Sequence, residues 1–197
     1  MEPCSKAFIC LHQNDPDFHY EPNRLGKDDF LENWYVTMDL VCENPLTYLP
    51  MASYYFFGFG LGVVFFFTPD YLGRKKTIIL FNSGYFFSVY ILAYDQRVEM
   101  KKLGYFIQGL CHLKISTSYT HALELVPESY KSMVFTLILS FDATSILIAS
   151  IFFKYVDPNE TRLLEYHFYG GCASLVLYIL FIPESPRWLF QKEGSKS

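Results

Sequence analysis

The stretch that decides the fold, residues 46–68, reads LTYLPMASYYFFGFGLGVVFFFT and contains no charged residue. A helix rises about 1.5 Å per residue, so a run of this length can cross a bilayer core of roughly 30 Å. Lipid offers the backbone no hydrogen-bond partners, so a continuous apolar run indicates a helix. Gly58 and Gly62 lie four residues apart, a spacing that lets two membrane helices approach closely. The stretch therefore predicts a transmembrane helix that packs against a neighbour through these two glycines.

Four further apolar runs follow along the chain. They cover residues 77–94, 103–126, 133–153 and 166–182. The run 103–126 is the most polar of them, and Pro183 and Pro186 end the last one. The pattern predicts an all-α integral membrane protein with about five transmembrane helices, surrounded by the lipid bilayer.

The composition supports a membrane protein over a soluble domain. Hydrophobic residues make up 51% and charged residues only 18% of the chain, against roughly a quarter charged in ordinary globular proteins. Residues 1–44 hold nine acidic and three basic side chains, whereas the whole chain carries a net charge of −4. This balance argues against binding to nucleic acid. We therefore divide the chain into an acidic polar head (1–44), a transmembrane bundle (45–189) and a short polar tail (190–197).

The basic residues predict how the chain is oriented in the membrane. Basic residues total about the same on the two sides, but the compact cluster at 74–76 adjoins the end of a span. By the positive-inside rule, this loop and the tail are predicted to face inward and the head outward.

The head contains Cys4, Cys10 and Cys42, and two of the three could pair in an oxidising compartment.

Three short motifs flank the spans. Residues 69–76 read PDYLGRKK, residues 183–189 read PESPRWL, and Trp34 precedes DLVC at 39–42. The first resembles the signature loop of the major facilitator superfamily, and the second resembles the PESPRWL motif of its sugar and organic-ion transporters. The third resembles the segment that leads into helix 2 in the organic cation/anion branch. The resemblance covers residues 34–189 and implies that the five spans correspond to family helices 2 to 6, an incomplete amino-terminal half.

The resemblance also implies an inner-face charge network that latches the conformations of a transporter. Its members would be Asp70, Arg74, Glu124, Lys131, Glu184 and Arg187. The simpler interpretation is a set of interfacial charges that only avoid lipid. The chain departs from the family pattern at Phe66, where a glycine is usual, and at Tyr71 and Tyr105, where basic residues are usual. We expect these changes to impair the moving parts.

Two opposite charges lie near the predicted bilayer midplane. Lys114 lies about eleven residues into the third span and Asp142 about ten residues into the fourth. An isolated charge at that depth costs roughly 2.5–3.5 kcal/mol, so a mutual salt bridge is predicted. The pair could mark a solute or proton site, or it could be a structural staple or a docking point for a charged neighbour.

The resemblance supports two hypotheses about function. The 197 residues show no counterpart of family helix 1 or of helices 7 to 12. We therefore expect a transporter-derived protein that is not transport-competent alone and acts as a structural or accessory subunit of a larger membrane complex. The alternative is one piece of a split or oligomeric secondary transporter for organic ions or other small solutes. A truncated reading of an ordinary transporter gene would look the same.

The sequence points to no enzyme chemistry. It contains no recognisable nucleophile–base pair, phosphate loop or metal-ligand spacing, so no catalytic residue, cofactor or metal site is expected. Other membrane subunits are the expected partners, and the sequence does not name a substrate. The family resemblance points to the plasma membrane, whereas a role in a large assembly would allow an organelle inner membrane such as the mitochondrial one.

Overall fold

The computed structural model describes residues 10, 33–38, 40–44, 46 and 50–194, and the regular elements in this part of the chain are helices. In chain order the α-helices are α1 (Trp34–Thr37), α2 (Met51–Gly62), α3 (Thr68–Leu72), α4 (Arg74–Tyr94), α5 (Val98–Leu110), α6 (Leu113–Glu124), α7 (Lys131–Tyr155), α8 (Glu160–Phe181) and α9 (Pro186–Gly194). Single turns of tighter 3₁₀ helix lie at Leu40–Cys42, Val63–Phe65 and Glu128–Tyr130.

Three predicted spans are long helices, and the other two are built from shorter helices in series. Within the described residues, α4, α8 and α7 with its preceding turn are long and apolar enough to cross a membrane. The first predicted span begins with α2, which continues through the turn at 63–65 toward α3. The third is divided between α5 and α6 by residues 111 and 112. The structure is thus the all-α membrane fold that the apolar runs predict.

Helix α4 forms the centre of the bundle. It packs against α5, α6 and α8, and it supplies buried residues along most of its length, including Ile78, Val89 and Leu92. Helices α7 and α8 differ from α4, since none of their residues is fully buried in this structure. Lipid or further protein must therefore cover α7 in a membrane, because an apolar helix is not stable against water.

Helices α2 and α5 make the closest contact in the bundle. A Cβ atom at Gly58 would overlap the carbonyl oxygen of Phe106, and one at Gly109 would overlap that of Tyr55. A Cβ at Gly62 would lie 2.9 Å from the carbonyl oxygen of Leu110. Gly58 and Gly62, singled out by their spacing, thus lie where two backbones touch, and Gly109 is their counterpart on the facing helix.

The described part of the head is tied to the bundle in two ways. Cys10 and Cys42 form a disulfide. The backbone N–H of Trp34 donates a hydrogen bond to Oε2 of Glu160, 3.2 Å away, at the start of α8. Most of the predicted acidic head, with Cys4 and the Asp39 of its third motif, lies outside the described residues. The structure thus fixes the carboxyl end of the head at the end of the bundle where α8 begins.

Candidate functional site

A cluster of charged side chains lies at the end of the bundle where α3 turns into α4; we call it the charged end. Gly73 forms the turn with φ of 98°, a left-handed conformation that glycine adopts without strain. Arg74 follows it, and its Nη1 donates to Oδ1 of Asp70 at 2.7 Å and to the carbonyl oxygen of Pro69 at 2.9 Å. The turn therefore holds the guanidinium against the helix that precedes it.

Glu124 brings the carboxyl end of α6 to the same guanidinium. Its Oε2 lies 3.3 Å from Nε of Arg74, and the two side chains are 10% and 11% exposed. The approach is an ion pair without hydrogen-bond alignment, because Nε has no hydrogen-bond partner among the described residues. Oγ of Ser185 donates to the same carboxylate oxygen at 2.5 Å. One carboxylate thus joins the start of α4 to the segment that follows α8.

Glu184 makes a second link between that segment and α4. Its Oε1 accepts hydrogen bonds from the backbone N–H groups of Lys75 at 2.8 Å and Ser185 at 3.1 Å. A carboxylate is stabilised there because the amino end of a helix carries unpaired N–H groups and a partial positive charge. Nε1 of the buried Trp188 donates to the carbonyl oxygen of Asp70 at 3.0 Å. The charged end therefore ties three distant chain segments together.

The structure brings together four of the six residues predicted for the inner-face network, namely Asp70, Arg74, Glu124 and Glu184. Lys131 instead pairs with Glu128, three residues before it, because the turn at 128–130 offers a nearer carboxylate. Arg187 is exposed and has no ion-pair partner among the described residues. Neighbouring helical residues point about 100° apart, so the inward orientation of Trp188 turns Arg187 outward.

Three residues at or beside the charged end were missed by charge-based reasoning. Ser185 and Trp188 lie within the PESPRWL motif, and the motif could have pointed to them. Neither residue carries a charge, so a search for charged residues passed over both. His121 gave no signal, because it lies in the most polar of the apolar runs. It is only 2% exposed, and its Nδ1 lies 2.5 Å from the hydroxyl of Tyr178 on α8.

The predicted salt bridge between Lys114 and Asp142 requires correction, because the structure gives the two charges different partners. The Lys114 ammonium lies over the ring of Tyr85 on α4, 2.9 Å from its centroid. Asp142 accepts a hydrogen bond from the hydroxyl of Tyr119. Depth in the membrane follows from the sequence, but the direction in which each side chain leaves its helix does not. Lys114 points toward Tyr85 on α4.

An apolar cavity of about 270 Å³ lies between α2 and the α5–α6 connection. Phe59, Phe66 and Leu113 contribute to its wall, and His112 supplies one polar group. Nδ1 of His112 lies 2.7 Å from the hydroxyl of Tyr55. Ligand pockets usually measure about 300–1,000 Å³, so this cavity is at or below the lower limit for a small solute.

Comparison with known proteins gives a match over nearly the whole chain. The model of the sugar (and other) transporter family matches residues 12–197. "Solute carrier family 22 member 21" of Mus musculus is 27% identical over 173 residues, covering 84% of this chain and 30% of the relative. "Facilitated trehalose transporter Tret1" of Bombyx mori is 28% identical over 126 residues, covering 62% and 24%.

A third relative, "Proton myo-inositol cotransporter hmit-1.1" of Caenorhabditis elegans, is 25% identical over 130 residues, covering 63% of this chain and 22% of the relative. The chain thus spans less than a third of the length of each of these curated relatives.

Proposed function

The chain belongs to the sugar (and other) transporter family, and we propose that it forms the part of a solute transporter in which the charged end latches one conformation. It is an integral membrane protein of transporter type. Secondary transporters work by rocking helical repeats about a central site. Such a motion needs contacts that hold each end state and can still be exchanged.

The observation that carries this proposal is the shared carboxylate of Glu124. It meets Arg74 from α4 and Ser185 from the segment after α8 on one oxygen atom. Polar contacts at helix ends can be exchanged by small shifts of those ends, whereas interdigitated core side chains resist them. The charged end is therefore the part of the described bundle best suited to open and close while the helices stay intact.

We infer the solute class from the relatives that the chain matches. Two of them carry trehalose or myo-inositol in their names, and both solutes are small, uncharged and rich in hydroxyl groups. A sugar or polyol is therefore the first candidate, and an organic ion is the second, in line with the branch that the third motif resembles.

Uptake by cells that make the native protein tests the proposal, since the chain spans less than a third of its relatives and forms only part of a transporter. We expect saturable uptake of trehalose, myo-inositol or tetraethylammonium that is lost when this chain is removed from those cells and returns when it is restored. Glu124→Gln should lower the initial rate by about tenfold or more at equal amounts of membrane protein, since a tenfold change needs only ~1.4 kcal/mol. The matched control is Glu128→Gln, which alters an exposed ion pair with Lys131 and should leave the rate unchanged.

Two results would contradict this proposal. Equal rates in the Glu124→Gln and Glu128→Gln proteins would show that the charged end does not govern transport. Absence of uptake for all three solutes, in cells that contain the folded protein, would remove the transport role and favour the second candidate below.

The second candidate is an accessory subunit of a larger membrane complex. The surface of α7 supports it, because none of its residues is buried and Phe141, Ile146 and Leu147 are largely exposed. Mild detergent extraction followed by mass measurement separates the two candidates. Unrelated subunits that co-purify in a fixed ratio support the accessory role, whereas a partner with the remaining transporter helices supports the split transporter.

We propose the plasma membrane as the location, by family resemblance. An organelle inner membrane remains the alternative if the accessory role holds. Fractionation of membranes from cells that make the native protein tests this, since enrichment with organelle markers would exclude the plasma membrane.

A further inference from the structure

A small pocket with a polar lining lies at the end of the bundle opposite the charged end, where α4 ends and α8 begins; we call it the polar pocket. Its volume is about 160 Å³. Its polar lining comes from α5 and α8, namely Lys101, Tyr105, Gln108, Glu160 and Thr161. Leu92 of α4 and Trp34 of the head also contribute to the wall. Four separate segments of the chain thus meet around one cavity.

The spacing of the polar residues on α5 accounts for the inner wall. Lys101, Tyr105 and Gln108 follow one another at intervals of four and three residues, so they lie on one face of the helix. Lipid would leave such groups without hydrogen-bond partners. Packing of this face toward α4 and α8 therefore places the three side chains where polar contacts are available.

Lys101 is buried beside the pocket without a full set of partners. It is only 4% exposed, and its ammonium donates to the carbonyl oxygen of Leu92. An ammonium has three N–H donors. Within the part of the chain that the structure describes, Lys101 has no second acceptor and forms no ion pair. A buried charge is stable only when it is well hydrogen-bonded, so the contents of the pocket must supply the missing acceptors.

Glu160 sets the opposite requirement. Its Oε2 accepts a hydrogen bond from the backbone N–H of Trp34 at 3.2 Å, and a carboxylate has room for about four such bonds. Glu160 and Lys101 line the same pocket without pairing with each other. A bound anion would be repelled by Glu160 and a bound cation by Lys101. A neutral hydroxyl group suits both, because it can accept from an ammonium and donate to a carboxylate.

The volume limits the size of the occupant. A cavity of about 160 Å³ corresponds to the liquid volume of about five water molecules at roughly 30 Å³ each. A single-ring polyol can replace these waters with its own hydroxyl groups. A disaccharide has two rings and does not fit.

We propose that the polar pocket is a binding site for a neutral single-ring polyol, in which Lys101 donates to and Glu160 accepts from the hydroxyl groups of the ligand. Trp34 brings the head into the same site. The choice of a polyol as the ligand rests on the proposed function. Binding itself requires neither transport nor the charged end, so it can be measured at equilibrium.

The experiment is amide hydrogen exchange, followed by mass spectrometry, on the native protein with its membrane partners in lipid nanodiscs. We expect saturating myo-inositol to slow exchange in residues 33–37 and 98–108, which carry the pocket wall. Trehalose should not slow exchange in these two segments. The concentration dependence of the protection gives the Kd for myo-inositol.

Two neighbouring lysines provide a matched pair of variants. Lys101→Met removes the buried ammonium and should raise the Kd by tenfold or more, which corresponds to ~1.4 kcal/mol. Lys102→Met removes an ammonium that pairs with the exposed Glu99 and should leave the Kd unchanged. If Lys101→Met does not fold, Glu160→Gln replaces it. That variant keeps an oxygen for Trp34 but loses the charge that strengthens hydrogen bonds from hydroxyl groups, so the Kd should rise severalfold.

Three results would overturn the inference. They are the absence of protection at 33–37 and 98–108, which would mean that water alone fills the pocket, equal protection by trehalose, and a Kd that neither Lys101→Met nor Glu160→Gln changes.

Glu124→Gln separates this site from the latch, because Glu124 lies at the opposite end of the bundle and its loss should not alter protection of the pocket. Protection with uptake that is indifferent to Glu124→Gln would reject the latch and keep the polyol site. Uptake that depends on Glu124, without protection of the pocket, would reject the site and keep the latch.

Discussion

The backbone of Gly58 lies against the backbone of Phe106 so closely that no side-chain atom fits between them. Gly58→Ala should therefore force α2 and α5 apart and lower the free energy of unfolding by about 1–3 kcal/mol, the usual cost of overpacking. Gly60→Ala is the matched control, since a Cβ there has no neighbour within 4 Å. Thermal unfolding in detergent measures both variants. Equal losses of Tm would show that the close contact is not what fixes these helices together.

Glu184 accepts hydrogen bonds at the amino end of α4, and the charge should matter there. Glu184→Gln keeps the size of the side chain but removes the negative charge, so we expect a loss of about 0.5–2 kcal/mol in the free energy of unfolding. Glu193→Gln in the exposed last turn of α9 serves as the control and should change it by less than about 0.5 kcal/mol. Chemical denaturation of both proteins is the measurement, and no difference between them would contradict the capping role.

Asp142 is stabilised by Tyr119, so these two residues should be energetically coupled. A double-mutant cycle with Tyr119→Phe and Asp142→Asn is expected to give a coupling of about 0.6 kcal/mol, the average for interhelical hydrogen bonds in membranes, and at most about 1.7 kcal/mol. The corresponding cycle for Lys114→Met and Asp142→Asn should give a coupling near zero, because the two charges have separate partners. A larger coupling in the second cycle than in the first would restore the predicted salt bridge.

The contribution of Asp95 to the stability of the protein should depend on pH, because Asp95 pairs with Arg97 in the connection between α4 and α5. Hydrogen bonds from the Arg97 side chain and backbone lower the pKa of Asp95 from 3.8 to about 2. A carboxyl whose pKa is lowered by folding stabilises the protein above its unfolded pKa. That contribution is therefore complete above about pH 4 and is lost as the pH falls toward 2.

Arg97→Gln should raise the pKa of Asp95 toward 3.8, and a carboxyl NMR titration measures it directly. Lys102→Gln removes the nearby exposed pair with Glu99 and should leave the Asp95 titration where it is. If the midpoint stays near 2 in the Arg97→Gln protein, Arg97 does not cause the shift.

The sequence was sufficient for the fold class, the family and the packing glycines. Apolar runs of spanning length leave the backbone only a helix, and the motifs at 69–76 and 183–189 predicted the family that the wider match confirms. Gly58 and Gly62 lie on one side of any helix because they are four residues apart. The continuity of each span was less predictable. The break after Gly62 occurs inside uninterrupted apolar sequence, and the break at residues 111 and 112 occurs in the most polar run without a proline to mark it.

The partners of individual charges were not predictable to the same degree. Sequence separation places Lys131 seven residues after Glu124, but the intervening turn carries Glu128, which is closer. Depth along a helix axis places Lys114 and Asp142 at one level and leaves their directions open. The burial of His121 depends on how α6 is rotated against α4 and α8, and a lone histidine in a polar run carries no sign of that rotation.

The Cys10–Cys42 bridge offers a way to determine which side of the membrane each end faces. It joins the head close to where the first span begins, whereas the Arg74 cluster lies where that span ends. A reductant that cannot cross membranes will open the bridge in sealed vesicles of one sidedness and spare it in the inverted ones. A simple shift in gel mobility would thus establish the topology of the entire chain.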